Sequence, residues 1–133
     1  MFTRDIACVV NDHIILCTAN KKARQRENIL TSYIVKHHPI FKSFEGKIID
    51  LMERKTKKSF SIEGGDIMLV HPKHLLIGES ERTSLNAIFE LKNILFENNV
   101  VDYISVIDMP KDRYCMHLDT IVTIIDENTC VGF

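Results

Sequence analysis

The stretch "DIMLVHPKHLLIG", residues 66–78, decides the fold, because it is typical of two short strands joined by a tight turn. Apolar strand-forming residues flank the central "HPK", as in an antiparallel hairpin. The sequence that follows, "SERTSLNAIFELKNILFEN" (80–98), carries apolar residues at helical spacing. A third stretch, "VDYISVID" (101–108), predicts another strand. Residues 66–108 therefore predict one strand–strand–helix–strand unit.

The same order of patterns occurs nearer the N-terminus. "DIACVVNDHIILCT" (5–18) predicts a hairpin, and "KKARQRENILTSYIVKHH" (21–38) predicts a helix that Pro39 ends. Within this helix the apolar residues at helical spacing are Ile29, Leu30, Tyr33 and Ile34. The amphipathic segment "GKIIDLMERKTKK" (46–58) predicts a further helix between the two units.

The two units align in register along the chain. Asp5 precedes His13 by eight residues, and Asp66 precedes His74 by eight residues as well. A third copy begins with "DTIVTIID" (119–126) and includes no helix. Such self-similarity predicts a repeat architecture built from one supersecondary unit.

We therefore predict an α/β fold of repeated ββαβ modules within a single partial domain, residues 1–133. The predicted modules cover approximately residues 5–44 and 62–109, with a truncated module at residues 114–133. Because the third copy lacks the helix that would cover its strands, we expect the chain to be a fragment of a longer protein.

The composition argues against nucleic acid and membranes as partners. The chain has 17 basic and 18 acidic residues and a net charge of −1, so it lacks the basic excess that either partner favours. No apolar stretch approaches the length of a membrane span. Four cysteines without disulfide or zinc spacing predict free thiols and a cytoplasmic location: Cys8, Cys17, Cys115 and Cys130.

Three aspartates, Asp5, Asp66 and Asp119, each stand immediately before a predicted strand. One such aspartate alone is typical of a turn cap, but equivalent positions of modules arranged about an axis converge. Glu63 lies beside two glycines in "IEGGD", which predicts a tight turn or a close backbone approach. His117, two residues before Asp119, is predicted to share a strand face with it.

Several carboxylates in one place repel one another unless a cation lies between them. A metal ion is one candidate, although the sequence has neither a His-x-x-x-His pair nor an aspartate ladder of the calcium type. A guanidinium group is the other candidate, because its fork of donors matches carboxylates. Arg24 and Arg82, each near the start of a predicted helix, could bind a carboxylate at the far end of that ligand. Together these groups describe L-arginine.

Six motifs resemble those of arginine deiminases, members of the guanidine-modifying or pentein superfamily. The motifs are "FTRD" (2–5), "ARQRE" (23–27), "KHHP" (36–39), "IEGGD" (62–66), "GESERT" (78–83) and "MHLDT" (116–120). The resemblance covers the whole chain. It implies a partial α/β propeller, with about two and a half of the family's five modules. It also implies hydrolysis of L-arginine to L-citrulline and ammonia, with no cofactor and no metal.

The resemblance also implies roles for individual residues. In the family, a cysteine thiolate attacks the guanidinium carbon, ammonia leaves with a proton supplied through a histidine, and water hydrolyses the covalent intermediate. Seven residues here match the family's site, namely Asp5 and Asp119 for the guanidinium, Glu63 and His117 as the catalytic acid–base pair, Arg24 and Arg82 for the α-carboxylate, and Phe2 packing against the substrate.

The family's cysteine block, a Gly- and Pro-rich Arg-Cys-Met motif near the end of a much longer chain, is absent from this sequence. We therefore expect the chain alone to be inactive. Cys115 is the nearest alternative nucleophile, since it would share the strand face of His117 and Asp119. Parallel side chains about 6.6 Å apart on a strand give poor geometry for a thiol–imidazole hydrogen bond, so we do not assign it that role.

Three interpretations remain open for such a chain. It is a piece of an arginine deiminase completed by a second polypeptide, a non-catalytic module that binds arginine, or an inert remnant that self-associates. Unprotected strand edges favour a homo-oligomer or a complex with a complementary C-terminal fragment. L-Arginine or a related guanidino compound is the expected ligand in the first two cases.

Overall fold

Two three-stranded sheets and one two-stranded sheet make up the computed structural model, which describes residues 2–44, 46–54, 60–126 and 128–133. The helices are α1 (Thr3–Ile6), α2 (Gln25–His37) and α3 (Leu85–Glu97). Among the described residues, 3₁₀ segments span Lys22–Arg24, Pro39–Phe44, Gly64–Asp66, Arg113–Cys115 and Leu118–Thr120. The prediction of a mixed α/β fold is confirmed.

The first sheet follows the predicted hairpin and adds a parallel strand. β1 (Ala7–Val10) and β2 (His13–Leu16) pair antiparallel, and β3 (Ile48–Asp50) runs parallel to β2 after the α2 crossover. Asn11 turns the hairpin with a φ of 53°, a left-handed conformation that asparagine tolerates better than most residues.

The second sheet repeats this arrangement. β4 (Ile67–His71) and β5 (His74–Glu79) form the hairpin of the stretch 66–78, and β6 (Tyr103–Asp108) runs parallel to β5 after α3. The third sheet is a hairpin alone, formed by β7 (Val122–Asp126) and β8 (Thr129–Gly132). All four residues of β8 are exposed.

The main core lies between the first two sheets and α3. Ile15 of β2, Ile77 of β5 and Leu91 of α3 belong to one buried cluster, together with Leu51 and Ile62 from the connecting segment. Burial of such side chains stabilises the fold by about 1.5–3 kcal/mol each relative to leaving them in water. This core fixes the two sheets against each other. It therefore holds the strand entries, the turns that lead into the first strand of each sheet, side by side.

The structure corrects two predictions about helices. The predicted helix over residues 46–58 is wrong, because Ile48–Asp50 forms β3 and residues 51–54 form a turn; residues 55–58 lie outside the described part. The helix α2 is present, but its predicted apolar stripe is exposed, and the side chains that α2 buries are Asn28, Ser32 and Val35. None of the described helices is long and apolar enough to cross a membrane.

Candidate functional site

Each of the three repeated aspartates lies in a helical turn that leads into the first strand of a sheet. Asp5 lies in α1 before β1. Asp66 ends the 3₁₀ turn before β4, and Asp119 lies in the 3₁₀ turn before β7. The turn that ends at Asp66 contacts both α1 and the turn that contains Asp119. The three entries therefore meet at one end of the sheets, as the repeat predicted.

Two glycines make this close meeting possible. A side chain at Gly64 would overlap the carbonyl oxygen of Arg4 and would lie 3.2 Å from that of Ala7. A side chain at Gly65 would lie 2.9 Å from Cγ of the His117 ring. The predicted close backbone approach at "IEGGD" is therefore present, and it brings α1 and His117 against the turn that follows Glu63.

Glu63 and His117 form the centre of the site. His117 Nε2 lies 2.9 Å from Glu63 Oε2, and the two residues are 5% and 0% exposed. Burial alone would lower the pKa of His117, but the hydrogen bond to Glu63 and the charges of Asp66, Asp5 and Glu63 raise it above 6.5. Burial alone would raise the pKa of Glu63, but the His117 hydrogen bond and the charges of His117, Arg24 and Arg82 lower it below 4.5. The pair is therefore poised to hold a proton on the imidazole.

Arg24 joins this pair to Asp5. Its NH1 group lies 2.7 Å from Asp5 Oδ2 and 3.3 Å from Glu63 Oε2, and its NH2 group lies 3.3 Å from Glu27 Oε2. The guanidinium also stands over the Phe2 ring, 5.4 Å from its centroid. Burial alone would lower the pKa of Arg24, but the hydrogen bonds to Asp5 and Glu27 raise it above its usual range.

Arg82 and Asp119 are the other two charged residues that were predicted for the site. Arg82 NH1 lies 3.8 Å from Glu63 Oε1, and its Nε is buried without a hydrogen-bond partner among the described residues. Asp119 accepts a 3.0 Å hydrogen bond from Arg4 Nε. Arg82 therefore keeps a donor for an anionic group, whereas Asp119 already has a cationic partner.

These side chains surround a pocket of about 600 Å³. Six of the seven predicted site residues line it, namely Phe2, Asp5, Arg24, Arg82, His117 and Asp119. The seventh, Glu63, is fully buried behind His117. The structure therefore brings together every side chain that the sequence placed at the site.

Two of these residues, His117 and Asp119, lie in a different secondary structure from the one predicted. His117 and Asp119 do not share a strand face, because Leu118–Thr120 is a 3₁₀ turn and β7 begins only at Val122. Cys115 is likewise in a 3₁₀ segment, where it is buried against a small apolar cluster that contains Met109 and Leu118. The predicted strand position of Cys115 is therefore wrong, although its thiol does not line the pocket.

Three residues at the site were not predicted. Arg4 pairs with Asp119, Glu27 pairs with Arg24, and the backbone N–H of Asn20 donates to Glu63 Oε1 at 3.3 Å. Arg4 belongs to the "FTRD" motif and directly precedes Asp5, so this motif could have identified it as a site residue. Glu27 lies three residues after Arg24 on a helix, a spacing at which opposite charges meet. The Asn20 contact depends on backbone geometry and leaves no sequence signal.

Asp5, Glu63 and His117 could also be considered as metal ligands, since one donor atom from each lies within 4.8 Å of the others. The chemistry of this donor set argues otherwise. The Arg24 guanidinium lies within 3.3 Å of both carboxylates, and the Glu63 oxygen nearest to it is also the acceptor for His117. A fixed positive charge at this position opposes the binding of a divalent cation, so this donor set does not fit a metal ion.

Comparison with known proteins identifies relatives along the whole chain. The family model for arginine deiminase matches residues 1–133. An arginine deiminase of Staphylococcus aureus (strain MRSA252) is 42% identical over 127 residues, and one of Bacillus cereus (strain ATCC 10987) is 39% identical over 126 residues. In both cases the match covers 94% of this chain and 30% of the relative. The chain thus spans about a third of the length of these relatives.

Solved structures share the fold. A DDAH of Pseudomonas aeruginosa complexed with citrulline superposes with a TM-score of 0.73 at 23% identity, over 98% of this chain and 45% of that one. A binary complex of AgrE with L-arginine gives a TM-score of 0.70 at 21% identity, over 99% of this chain and 18% of that one. The amidinotransferase SxtG of Microseira wollei gives 0.70 at 15% identity, over 96% and 41%.

Proposed function

The chain belongs to the arginine deiminase family, and from that premise we propose that it carries the substrate-binding and proton-transfer part of a site for L-arginine or a related guanidino compound. The observation that carries this proposal is the 2.9 Å contact between His117 and Glu63 beside a pocket lined by two aspartates and three arginines. The solved relatives named for complexes with citrulline and L-arginine support the same class of ligand.

In this proposal Asp5 and Asp119 bind the substrate guanidinium. Each aspartate has an arginine partner in the structure, Arg24 for Asp5 and Arg4 for Asp119. A substrate guanidinium must therefore share these carboxylates or displace the protein's own guanidinium groups. Since a carboxylate accepts several hydrogen bonds, sharing is chemically feasible at Asp5.

Arg82 and Arg24 bind the α-carboxylate at the other end of the substrate. Arg82 suits this role because its Nε has no partner among the described residues and its side chain lines the pocket. Arg24 reaches a substrate carboxylate by giving up part of its contact with Asp5 and Glu63. Phe2, which is 71% exposed, offers its ring at the pocket wall for packing against the substrate.

His117 and Glu63 transfer protons. The imidazole, with its raised pKa, donates a proton to the amine that leaves the guanidinium carbon, and the buried Glu63 carboxylate stabilises the imidazolium. The family reaction, hydrolysis of L-arginine to L-citrulline and ammonia, also needs a thiolate. We propose that this chain does not supply it, because none of its four cysteines lines the pocket.

The chain incubated with L-arginine is therefore expected to form no measurable citrulline, because the covalent step that divides the barrier has no nucleophile. A colorimetric citrulline assay over several hours checks this expectation. Turnover that Cys115→Ser abolishes, while Cys130→Ser leaves it intact, would contradict it. Binding of L-arginine, measured by isothermal titration calorimetry, tests the other half of the proposal.

We further propose that the modules at residues 5–44, 62–109 and 114–133 are about two and a half of five propeller modules. The first of them extends past residue 44 to β3 (Ile48–Asp50), which pairs with β2. The free thiols support a reducing, cytoplasmic location. An alternative within the family is a non-catalytic module that binds arginine or self-associates, and it keeps the same ligand pocket.

The exposed β7–β8 hairpin supports self-association or binding to a complementary C-terminal fragment. Ile125 and Val131 are 62% and 56% exposed, and Phe133 is fully exposed. Exposed strand edges and apolar side chains of this kind favour association with another chain. We expect light scattering at micromolar concentration to give a mass above that of one 15.4 kDa chain, and Val131→Lys to reduce it. A monomer mass that persists on concentration would rule out self-association.

A further inference from the structure

Asp66 has a buried carboxylate, and the proposed function assigns no role to it. It is 0% exposed, yet it does not line the pocket. Its Oδ1 accepts a 2.8 Å hydrogen bond from the Leu118 backbone N–H, and its Oδ2 accepts a 2.7 Å hydrogen bond from the Ser80 hydroxyl. Burial raises the pKa of Asp66, while the hydrogen bonds from the Ser80 hydroxyl and the Leu118 N–H oppose that rise. Both oxygens accept hydrogen bonds, as in an ionised carboxylate, and a buried carboxylate is costly unless it has such partners.

The first hydrogen bond fixes the turn that carries His117. Leu118 directly follows His117 and opens the 3₁₀ turn that contains Asp119. Holding the Leu118 N–H therefore sets the direction of both neighbouring side chains. Gly78 leaves room for this contact, because a side chain there would lie 2.9 Å from the same Asp66 oxygen.

The second hydrogen bond reaches Arg82 and Glu63. The Ser80 oxygen that donates to Asp66 also accepts from the backbone N–H groups of Arg82, at 3.0 Å, and Thr83, at 3.1 Å. The Thr83 hydroxyl oxygen in turn accepts from the Glu63 N–H at 3.2 Å. One carboxylate thus holds the three segments that contain His117, Arg82 and Glu63, either directly or through one or two hydroxyl groups.

We propose that Asp66 is a positioning residue, which holds His117, Arg82 and Glu63 in the relative arrangement that guanidino-substrate binding and proton transfer require. This inference rests on the proposed function and deepens it. Asp66 also acts through its charge. The groups that raise the pKa of His117 against the opposing effect of burial are Glu63, Asp66 and Asp5, while the positive groups of Arg24 and Arg82 lie 3.3 and 3.8 Å from the Glu63 carboxylate.

Asp66→Asn tests the inference, because the amide keeps the shape and removes both the charge and the acceptor for Ser80. We expect the pKa of His117, followed by NMR of its ring protons, to fall below that of the wild type. We also expect L-arginine to bind about tenfold more weakly, because the segments of His117 and Arg82 lose the charged hydrogen-bond acceptor that holds them in place. Asp108→Asn, an exposed aspartate at the end of β6, is the matched control and should change neither quantity.

A wild-type pKa for His117 in folded Asp66→Asn would overturn the inference, whatever L-arginine does. A loss of stability without this change would mark a structural role alone. If the wild type itself does not bind L-arginine, the proposed function fails while the His117 titration still decides the role of Asp66.

Ser80→Ala keeps the inference testable if Asp66→Asn does not fold. This variant retains the Asp66 charge and removes only the hydroxyl that holds Arg82 and Thr83. We expect faster amide hydrogen exchange at these two N–H groups, with the turn at His117 unchanged. Wild-type protection of both amides would contradict the proposed link from Asp66 to Arg82.

Discussion

Gly64→Ala is expected to prevent folding or to lower the free energy of unfolding by about 3 kcal/mol or more, the upper range for overpacking a close contact. The added methyl group would overlap the Arg4 carbonyl oxygen and press on that of Ala7. Both contacts are backbone atoms, so no rotamer change can relieve them. The α1 turn must then move away from Glu63, and Asp5 moves with it.

Chemical denaturation followed by circular dichroism measures this effect. Gly132→Ala is the matched control, because among the described residues a methyl group there would meet only the Ile121 carbonyl oxygen, at an ordinary 3.8 Å. We expect the control to unfold within about 1 kcal/mol of the wild type, the usual range for a substitution without a steric conflict. Equal stability of Gly64→Ala and Gly132→Ala would show that the turns do not meet as described.

Glu63→Gln is expected to lower the free energy of unfolding by about 3–5 kcal/mol, the cost of removing one partner from a buried set of ion pairs. Glu63 is fully buried and accepts from His117 and Arg24, with Arg82 at 3.8 Å. The NH2 group of a glutamine at this position would face the donor groups of His117, Arg24 or Arg82. The positive groups around it would then lose their shared anion.

The effect of Glu63→Gln should depend on pH. The pKa of His117 is raised above 6.5, so its contribution to stability is complete below pH 6.5 and is lost as the pH rises through the folded value. The pKa of Glu63 is lowered below 4.5, so its contribution is complete above pH 4.5 and is lost as the pH falls through the folded value. The difference between wild type and variant should therefore be largest between these two limits.

Urea denaturation at pH 5.5 and pH 9 checks this dependence. Glu53→Gln is the control, because Glu53 forms an exposed pair with Lys36 and its side chain is 70% exposed. Exposed pairs contribute about 0.2–1 kcal/mol, so the control should show a small loss at both values. A loss for Glu63→Gln that is equal at pH 5.5 and pH 9 would contradict the ionised Glu63–His117 pair.

The hairpins, both long helices and the meeting of the strand entries could be predicted from the sequence alone. Alternating apolar runs predict strands, and the eight-residue register from Asp5 to His13 and from Asp66 to His74 predicts equivalent positions in space. The positions of seven candidate residues around one pocket followed from that register and from the motifs. Their roles remain a proposal.

Features set by tertiary contacts could not be predicted in this way. Ile48–Asp50 has the apolar spacing of a helix, yet it forms β3 because pairing with β2 satisfies its backbone. In α2 the buried side is polar, since Asn28 exchanges hydrogen bonds with Ala19 and Cys17, and Ser32 donates to Asp50. A pattern of apolar residues cannot identify a helix face that is buried through hydrogen bonds.

Binding of L-arginine to the chain, measured by isothermal titration calorimetry at pH 6, tests the central claim most directly. We expect the wild type to bind L-arginine and not L-lysine, because the proposed Asp5 and Asp119 contacts need the guanidinium fork. Asp119→Asn should weaken binding by about tenfold, the cost of losing a charged hydrogen-bond acceptor, while the surface control Asp108→Asn should not. Equal affinity for L-arginine and L-lysine, or wild-type affinity in Asp119→Asn, would contradict the account.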